Sequence, residues 1–262
     1  MKLIFVGPGR AGGSLALAAS RVGHRIVGVL SRSDQPYGPD LRWDQPLPEA
    51  DLLLITVTDG AIEEVAQRLA PRVDSIRAAA HVSGFTPITA LGSLAAAGVV
   101  TGGFHPLQTL PDPERGAAAL HGAYVGIGGD STARATLEDL ARSLGMTSFT
   151  LRDEARPGYH AGAAAASNFV ITALATAGDL MRAAGVEAEV ARPLVEQTVA
   201  NVFEAGAPSS LTGPIARGDT ATVIGQLAAA AAVSEDVGDQ YRLMAEATAI
   251  RAGRRGDTQS WR

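Results

Sequence analysis

Two groups of residues in this chain have types and spacing suited to chemistry. Gly7-Pro8-Gly9-Arg10-Ala11-Gly12 has the Gly-x-Gly-x-x-Gly spacing, follows the apolar run Leu3-Ile4-Phe5-Val6, and opens the helical pattern Leu15, Leu17, Ala18, Val22. Strand, glycine turn and helix in that order are the context a dinucleotide-binding turn requires, the competing reading being a glycine-rich turn with no ligand. Gly7 permits the tight turn, Gly9 lets backbone approach a pyrophosphate, and Gly12 lets helix and strand pack closely. The helix N-terminus then offers free N–H groups and a partial positive charge to phosphates. The second group is His160, Ser167 and Asn168. His160 titrates near neutral pH and suits proton donation. Ser167 lies seven residues on, nearly on the same helical face, and Asn168 borders it and can hydrogen-bond a substrate oxygen. Ala163 and Ala164 between them leave room for a small substrate. The competing reading is structural: His160 packs near the helix start and Asn168 bonds across a helix interface.

A second strand, Arg25 to Leu30, ends in Ser31-Arg32-Ser33, with no acidic residue before Asp34. An NAD site places an Asp or Glu about there for the ribose 2′-hydroxyl. Two hydroxyls and a guanidinium suit a 2′-phosphate instead. The expected cofactor is therefore NADP(H), held by Gly7, Pro8, Gly9, Arg10, Ala11, Gly12, Ser31, Arg32 and Ser33. Thr58, Ser83 and Gly84 follow later strands and join this cofactor set at the carboxyl ends of the sheet. His105 and Gln108, in Phe104-His105-Pro106-Leu107-Gln108, are expected to line the substrate pocket. Arg217, in Leu211 to Asp219, could hold a substrate carboxylate through paired bonds, pair with Asp219, or fix a dimer contact. His24, His81 and His121 are read as structural, and no spacing suggests a metal site.

The elements that must position these groups follow from periodicity. Short apolar runs alternate with helical patterns up to residue 154, which predicts a parallel sheet with crossover helices. Strands are expected at Leu52–Val57, Ala78–Val82, Val99–Phe104, Tyr124–Ile127 and Thr147–Leu151. Beyond 155 the chain reads as all-helical, with a polar, frayed tail from Gly253 to Arg262. The expected architecture is a Rossmann-type doubly wound α/β domain (1–154) and a helical substrate and dimerisation domain (155–262).

Composition narrows the function. The chain has 262 residues, a net charge of −5, 46% hydrophobic residues and no cysteine. There is no basic footprint for nucleic acid, and no thiol nucleophile or thiolate metal site. Lys2 is the only lysine among 22 basic residues and precedes the first strand, so no lysine is placed to donate a proton. The longest apolar stretch, Ala161 to Ala177, reads as too short and too weakly apolar for a membrane span. A cytoplasmic location is expected.

Four segments resemble one superfamily: Gly7 to Gly12, Phe104 to Thr109, Tyr159-His160-Ala161 with Ala166-Ser167-Asn168, and Leu211 to Asp219. It includes the 6-phosphogluconate dehydrogenase-like reductases, pyrroline-carboxylate reductase, prephenate dehydrogenase and ketopantoate reductase. Within it the chain is most similar to Rossmann-like oxidoreductases whose helical C-terminal half is a domain of unknown function. The resemblance implies an NADP-binding N-terminal domain and a helical domain that commonly dimerises. Ketopantoate reductases use a catalytic lysine that this chain lacks, so His160 or Asn168 would have to replace it. The expectation is an NADP(H)-dependent reductase of a small carboxylate-bearing carbonyl compound, such as ketopantoate or another 2-oxo acid, acting as a homodimer. The alternatives are a non-catalytic NADP-binding regulatory or partner-binding protein and, disfavoured by the missing acid after the second strand, a flavin- or methyl-donor-binding fold.

Overall fold

The computed structural model describes residues 1–33 and 35–261; Asp34 and Arg262 lie outside the described residues. The chain divides into two compact units, Met1–Ala164 and Ala165–Arg262.

The first unit is built on a seven-stranded sheet. Its strands are β1 (Lys2–Val6), β2 (Arg25–Leu30), β3 (Ala50–Ile55), β4 (Ile76–His81), β5 (Val100–Leu107), β6 (Tyr124–Gly129) and β7 (Thr147–Thr150), in the order β2-β1-β3-β4-β5-β6-β7. The helices are α1 (Arg10–Arg21), α2 (Ile62–Leu69), α3 (Gly92–Ala96), α4 (Pro113–Leu120), α5 (Ser131–Ser143) and α6 (Arg156–Ala164). The expected boundary at 154/155 lies just ahead of α6.

Strand alternation feeds two cores. Leu3 and Phe5 of β1, Leu52 and Leu54 of β3 and Ala78 and Ala80 of β4 join Leu15, Leu120, Leu137 and Leu140 on one face. Ile4, Val6, Leu53, Ile55 and Ala79 join Ile62, Leu69, Leu91 and Leu94 on the other. Burial on both faces explains why β1 and β3 read as continuous apolar runs rather than alternating ones. The chain leaves β1 toward β2 and returns past it to β3, so the end of β1 is a topological switch point where ligands bind in such sheets.

The expected Rossmann-type sheet is present, with one departure. β6 runs antiparallel to β5, pairing His105 with Gly126 and Phe104 with Ile127, while the other neighbours are parallel. β6 begins beside Leu107, where β5 stops, so the connection through α4 (Pro113–Leu120) returns to the end it left.

In the second unit, α7 (Val170–Ala183), α8 (Arg192–Ala205), the short α9 (Ala207–Ser210) and α10 (Gly213–Arg217), α11 (Thr220–Val233) and α12 (Glu235–Arg251) follow the expected helical segments. Gly238 lets α12 approach α11 closely, since a Cβ there would lie 2.9 Å from the Ala231 backbone. The expectation of a frayed tail is corrected. Arg255–Trp261 forms a 3-10 helix, and Trp261 is buried against Val223, Leu227, Ala245 and Ala249. One large indole outweighs the polar residues around it.

A second correction concerns the apolar stretch at 161–177. It belongs to a helical run of 31 residues, Asp153–Ala183, which is long and apolar enough to cross a membrane. The helical pattern expected beyond 155 starts slightly earlier, at Asp153, and Asp153 and Arg156 lie in the first unit. Within this run Ala165–Phe169 is a π-helical turn, where uniform helical spacing was expected.

Candidate active site

The glycine turn has the geometry its spacing demands. Gly7 adopts φ 71°, and a Cβ there would meet Val57 at 2.4 Å. A Cβ on Gly12 would lie 2.2 Å from Thr56 Oγ1. Around Gly9 a Cβ would meet nothing within 4 Å, which leaves the space a phosphate needs. No side chain caps α1, and no acidic residue stands in its first turn. The N–H groups of Arg10, Ala11 and Gly12 therefore have no intrahelical acceptor and form the partial positive end of the dipole. The residues present fit a dinucleotide pyrophosphate.

Neighbouring strands hold this turn from both sides. Gly7 N donates to Leu30 O at 2.8 Å, which brings Ser31, Arg32 and Ser33 beside it. Arg32 and Ser33 are exposed. The Thr56 hydroxyl lies 3.0 Å from both the Val6 and the Gly7 carbonyl oxygens, a brace that sequence reading missed. Thr58 is exposed and precedes a 3-10 turn at Asp59–Ala61.

A second cluster forms where β4, β5 and α6 meet. The His105 ring lies edge-on to Tyr159 (centroids 5.4 Å apart) and to His160 (5.9 Å), and His160 is also edge-on to Phe85 (6.2 Å). His105 Nδ1 is 2.7 Å from the Tyr159 hydroxyl. His160 Nδ1 is buried and has no hydrogen-bond partner among the described residues. Gly84 gives His105 its place: a Cβ there would lie 2.8 Å from His105 Nε2.

Beneath this cluster lies Arg156, wholly buried. Its Nε donates to Asp153 Oδ1 at 2.7 Å and its Nη1 to Ser83 O at 2.9 Å. Asp153 Oδ2 accepts from Ile88 N at 2.8 Å, so this pair ties the loop after β4 to the start of α6. Room for the guanidinium comes from Gly103, where a Cβ would lie 2.2 Å from Nη2. The spacing of Asp153 and Arg156 was the available signal for this pair, but a charged i, i+3 couple reads as a solvated face without knowledge of burial.

Electrostatics follow from burial. The His105 imidazole is pushed down to about 4, first by burial and then by the charges of His160 and Arg156. His81, at the end of β4, is also held at about 4, by burial and Arg156. Burial raises the Tyr159 phenol to about 12. At neutral pH His105 is thus an uncharged imidazole beside a protonated phenol.

Other expected site residues have different surroundings. The Ser83 hydroxyl accepts from Phe85 N and Thr86 N, which closes its own turn. Gln108 points toward α4, donating to Ala119 O at 3.3 Å and accepting from Thr109 N at 2.8 Å. Ser167 and Asn168 sit in the π turn of the second unit, Asn168 exposed, with its carbonyl accepting from Thr172 Oγ1. Such turns are frequent at functional sites. Arg217 ends α10 and is exposed; among the described residues it forms no ion pair, while Asp219 caps α11 through Thr222. His24 bridges the Met1 amino group and Ser143, a structural role. Among the described residues no group of side chains could hold a metal.

Comparison with known proteins agrees with this fold. Residues 123–248 match the family model described as Domain of unknown function (DUF2520). No curated protein sequence matches the chain. Among solved structures, a Bacteroides fragilis protein named as an NADP oxidoreductase (BF3122) is similar at 23% identity and a TM-score of 0.80, covering 95% of this chain and 98% of that one. Plasmodium falciparum pyrroline carboxylate reductase with NADP bound is similar at 14% identity and TM-score 0.63, covering 96% and 98%. An Aspergillus terreus reductive aminase in complex with NADPH and ethyl levulinate is similar at 21% identity and TM-score 0.65, covering 99% and 97%. The chain thus matches the DUF2520 domain over residues 123–248 and has the fold these structures share, a Rossmann-like α/β unit followed by a helical one.

Proposed function

We propose that the protein is an NADP(H)-dependent oxidoreductase that reduces a small carboxylate-bearing carbonyl compound of the 2-oxo acid type, ketopantoate among them. The observation that carries this reading is the glycine turn: an uncapped helix N-terminus with open space at Gly9, at the sheet's switch point. Named NADP oxidoreductases and NADP-bound structures among the similar folds support it. Bound NADPH supplies the hydride. Gly7, Pro8, Gly9, Arg10, Ala11 and Gly12 hold the pyrophosphate, Ser31, Arg32 and Ser33 the 2′-phosphate, and Thr58, Ser83 and Gly84 line the remaining path. His160 donates the proton and Asn168, with Ser167, positions the substrate oxygen. His105 and Gln108 line the pocket, and Arg217 holds the carboxylate.

The protein acts in the cytoplasm as a homodimer through its helical unit. There Phe169, Leu194, Phe203 and Leu243 are each at least 66% exposed, large apolar side chains that a second copy would cover. Fluorescence titration of the purified protein with NADPH and with NADH tests the reading. Tight binding selective for NADPH is expected; no binding of either cofactor would overturn it.

A further inference from the structure

We propose that Tyr159 locks His105 as the Nε2–H tautomer, so that His105 presents a neutral hydrogen-bond donor beside the Gly84 turn. The proposal deepens the reductase reading, because a donor placed there selects what the site can reduce.

The geometry defines the lock. His105 Nδ1 and the Tyr159 hydroxyl are 2.7 Å apart, and this is the only hydrogen bond that either side chain makes among the described residues. One of the two must donate. A phenol donates well and accepts weakly, because its oxygen lone pair is shared with the ring. Imidazole nitrogen without a proton is the better acceptor, and a half-buried tyrosine hydroxyl needs somewhere to place its proton. The Tyr159 O–H therefore donates to Nδ1, and the imidazole proton resides on Nε2.

Burial keeps the imidazole neutral. His160 and Arg156 add to the opposition to a proton on it, and Asp59 favours one more weakly, so His105 stays uncharged at neutral pH. The edge-on packing of His160 and Tyr159 fixes the ring plane, and the bare Cα of Gly84 leaves the Nε2 end uncovered by any side chain at that position.

A neutral N–H has a chemical preference. It donates to a carbonyl oxygen, and the bond strengthens as negative charge develops there during reduction. A protonated imine offers its nitrogen no lone pair and cannot accept. Tyr159 is accordingly a positioning residue, and His105 the group that touches the substrate. The pair favours carbonyl compounds over protonated imines.

Nitrogen NMR of the full-length, ¹⁵N-histidine-labelled protein tests this, with His105 assigned by its loss in His105→Asn. At pH 7 the expected pattern is a protonated Nε2 and an unprotonated Nδ1, persisting to pH 5.5. In Tyr159→Phe both tautomers should appear. A proton on Nδ1 in the wild type, an imidazolium at pH 7, or a Tyr159→Phe spectrum like the wild type's would each overturn the proposal. The measurement needs no substrate or cofactor. A locked tautomer in a protein that fails to bind NADPH would therefore refute the reductase reading and leave the lock standing.

Discussion

The guanidinium of Arg156, wholly buried, donates to the carbonyl of Ser83 at 2.9 Å across 73 residues of sequence. Through this bond the loop that carries Gly84 and the helix that carries Tyr159 and His160 share one anchor. Breaking a buried pair by removing one partner costs about 3 to 5 kcal/mol. Arg156→Met should lose about that much, trimmed because Asp153 keeps partial access to water. Urea unfolding of variant and wild type measures it, and a difference below about 1 kcal/mol would show that the anchor is dispensable.

Gly12 makes a different prediction, about volume. A methyl at this position would sit 2.2 Å from Thr56 Oγ1, and that hydroxyl is held by the carbonyls of Val6 and Gly7. Gly12→Ala should destabilise by about 1 to 3 kcal/mol through overpacking. It should also weaken NADPH binding, since the same residues shape the turn. Thermal melts and a cofactor titration of one preparation report both effects.

Arg32→Glu should separate the two nicotinamide cofactors. Replacing a phosphate-pairing guanidinium by a carboxylate should weaken NADPH about a hundredfold or more while changing NADH little, since a charge-assisted pair is worth about 1.5 to 3 kcal/mol and repulsion adds to the loss. Equal losses for both cofactors would refute the 2′-phosphate role of this residue.

His160→Ala should lower turnover by a factor of about 10² to 10⁴, the usual contribution of a positioned acid or base, with cofactor affinity nearly intact. A loss of NADPH affinity with an unchanged rate at saturation would move His160 from proton donor to cofactor ligand.

His81 links stability to pH. Its folded-state value lies near 4, below the 6.5 of a free imidazole, so the unfolded chain binds the proton more readily. Its contribution is whole above about pH 6.5 and is lost as the pH falls toward 4. The full span is on the order of 3 kcal/mol at 1.4 kcal/mol per unit. Relative to His81→Asn, the wild type should lose stability more steeply between pH 6.5 and 4.5. Parallel pH profiles for the two proteins would show that His81 does not carry this linkage.

Much of the first unit was legible because its signals are local. Gly7, Gly9 and Gly12 announce the turn by spacing, and Leu3 to Val6 announce a strand covered on both faces. The reversed direction of β6 was not legible, because strand periodicity is the same in either direction. The cluster around His105 was half legible. His105 and His160 stood out as titratable groups, whereas Tyr159 and Arg156 matter through burial and through partners 54 and 73 residues away. The π turn at Ala165–Phe169 was invisible for a related reason: its residues fit an ordinary helix equally well.

Gly84 and His105 have a joint consequence for how this chain can change over generations. The imidazole occupies the volume that any side chain at position 84 would need. A lineage that gains even a methyl at 84 must displace the ring, whereas one that first loses the ring is free to fill the space. Mutation can therefore pass from glycine to a larger residue only after the ring is lost, and the ring can return only after position 84 is glycine again. The two positions behave as a single heritable character with a fixed order of change.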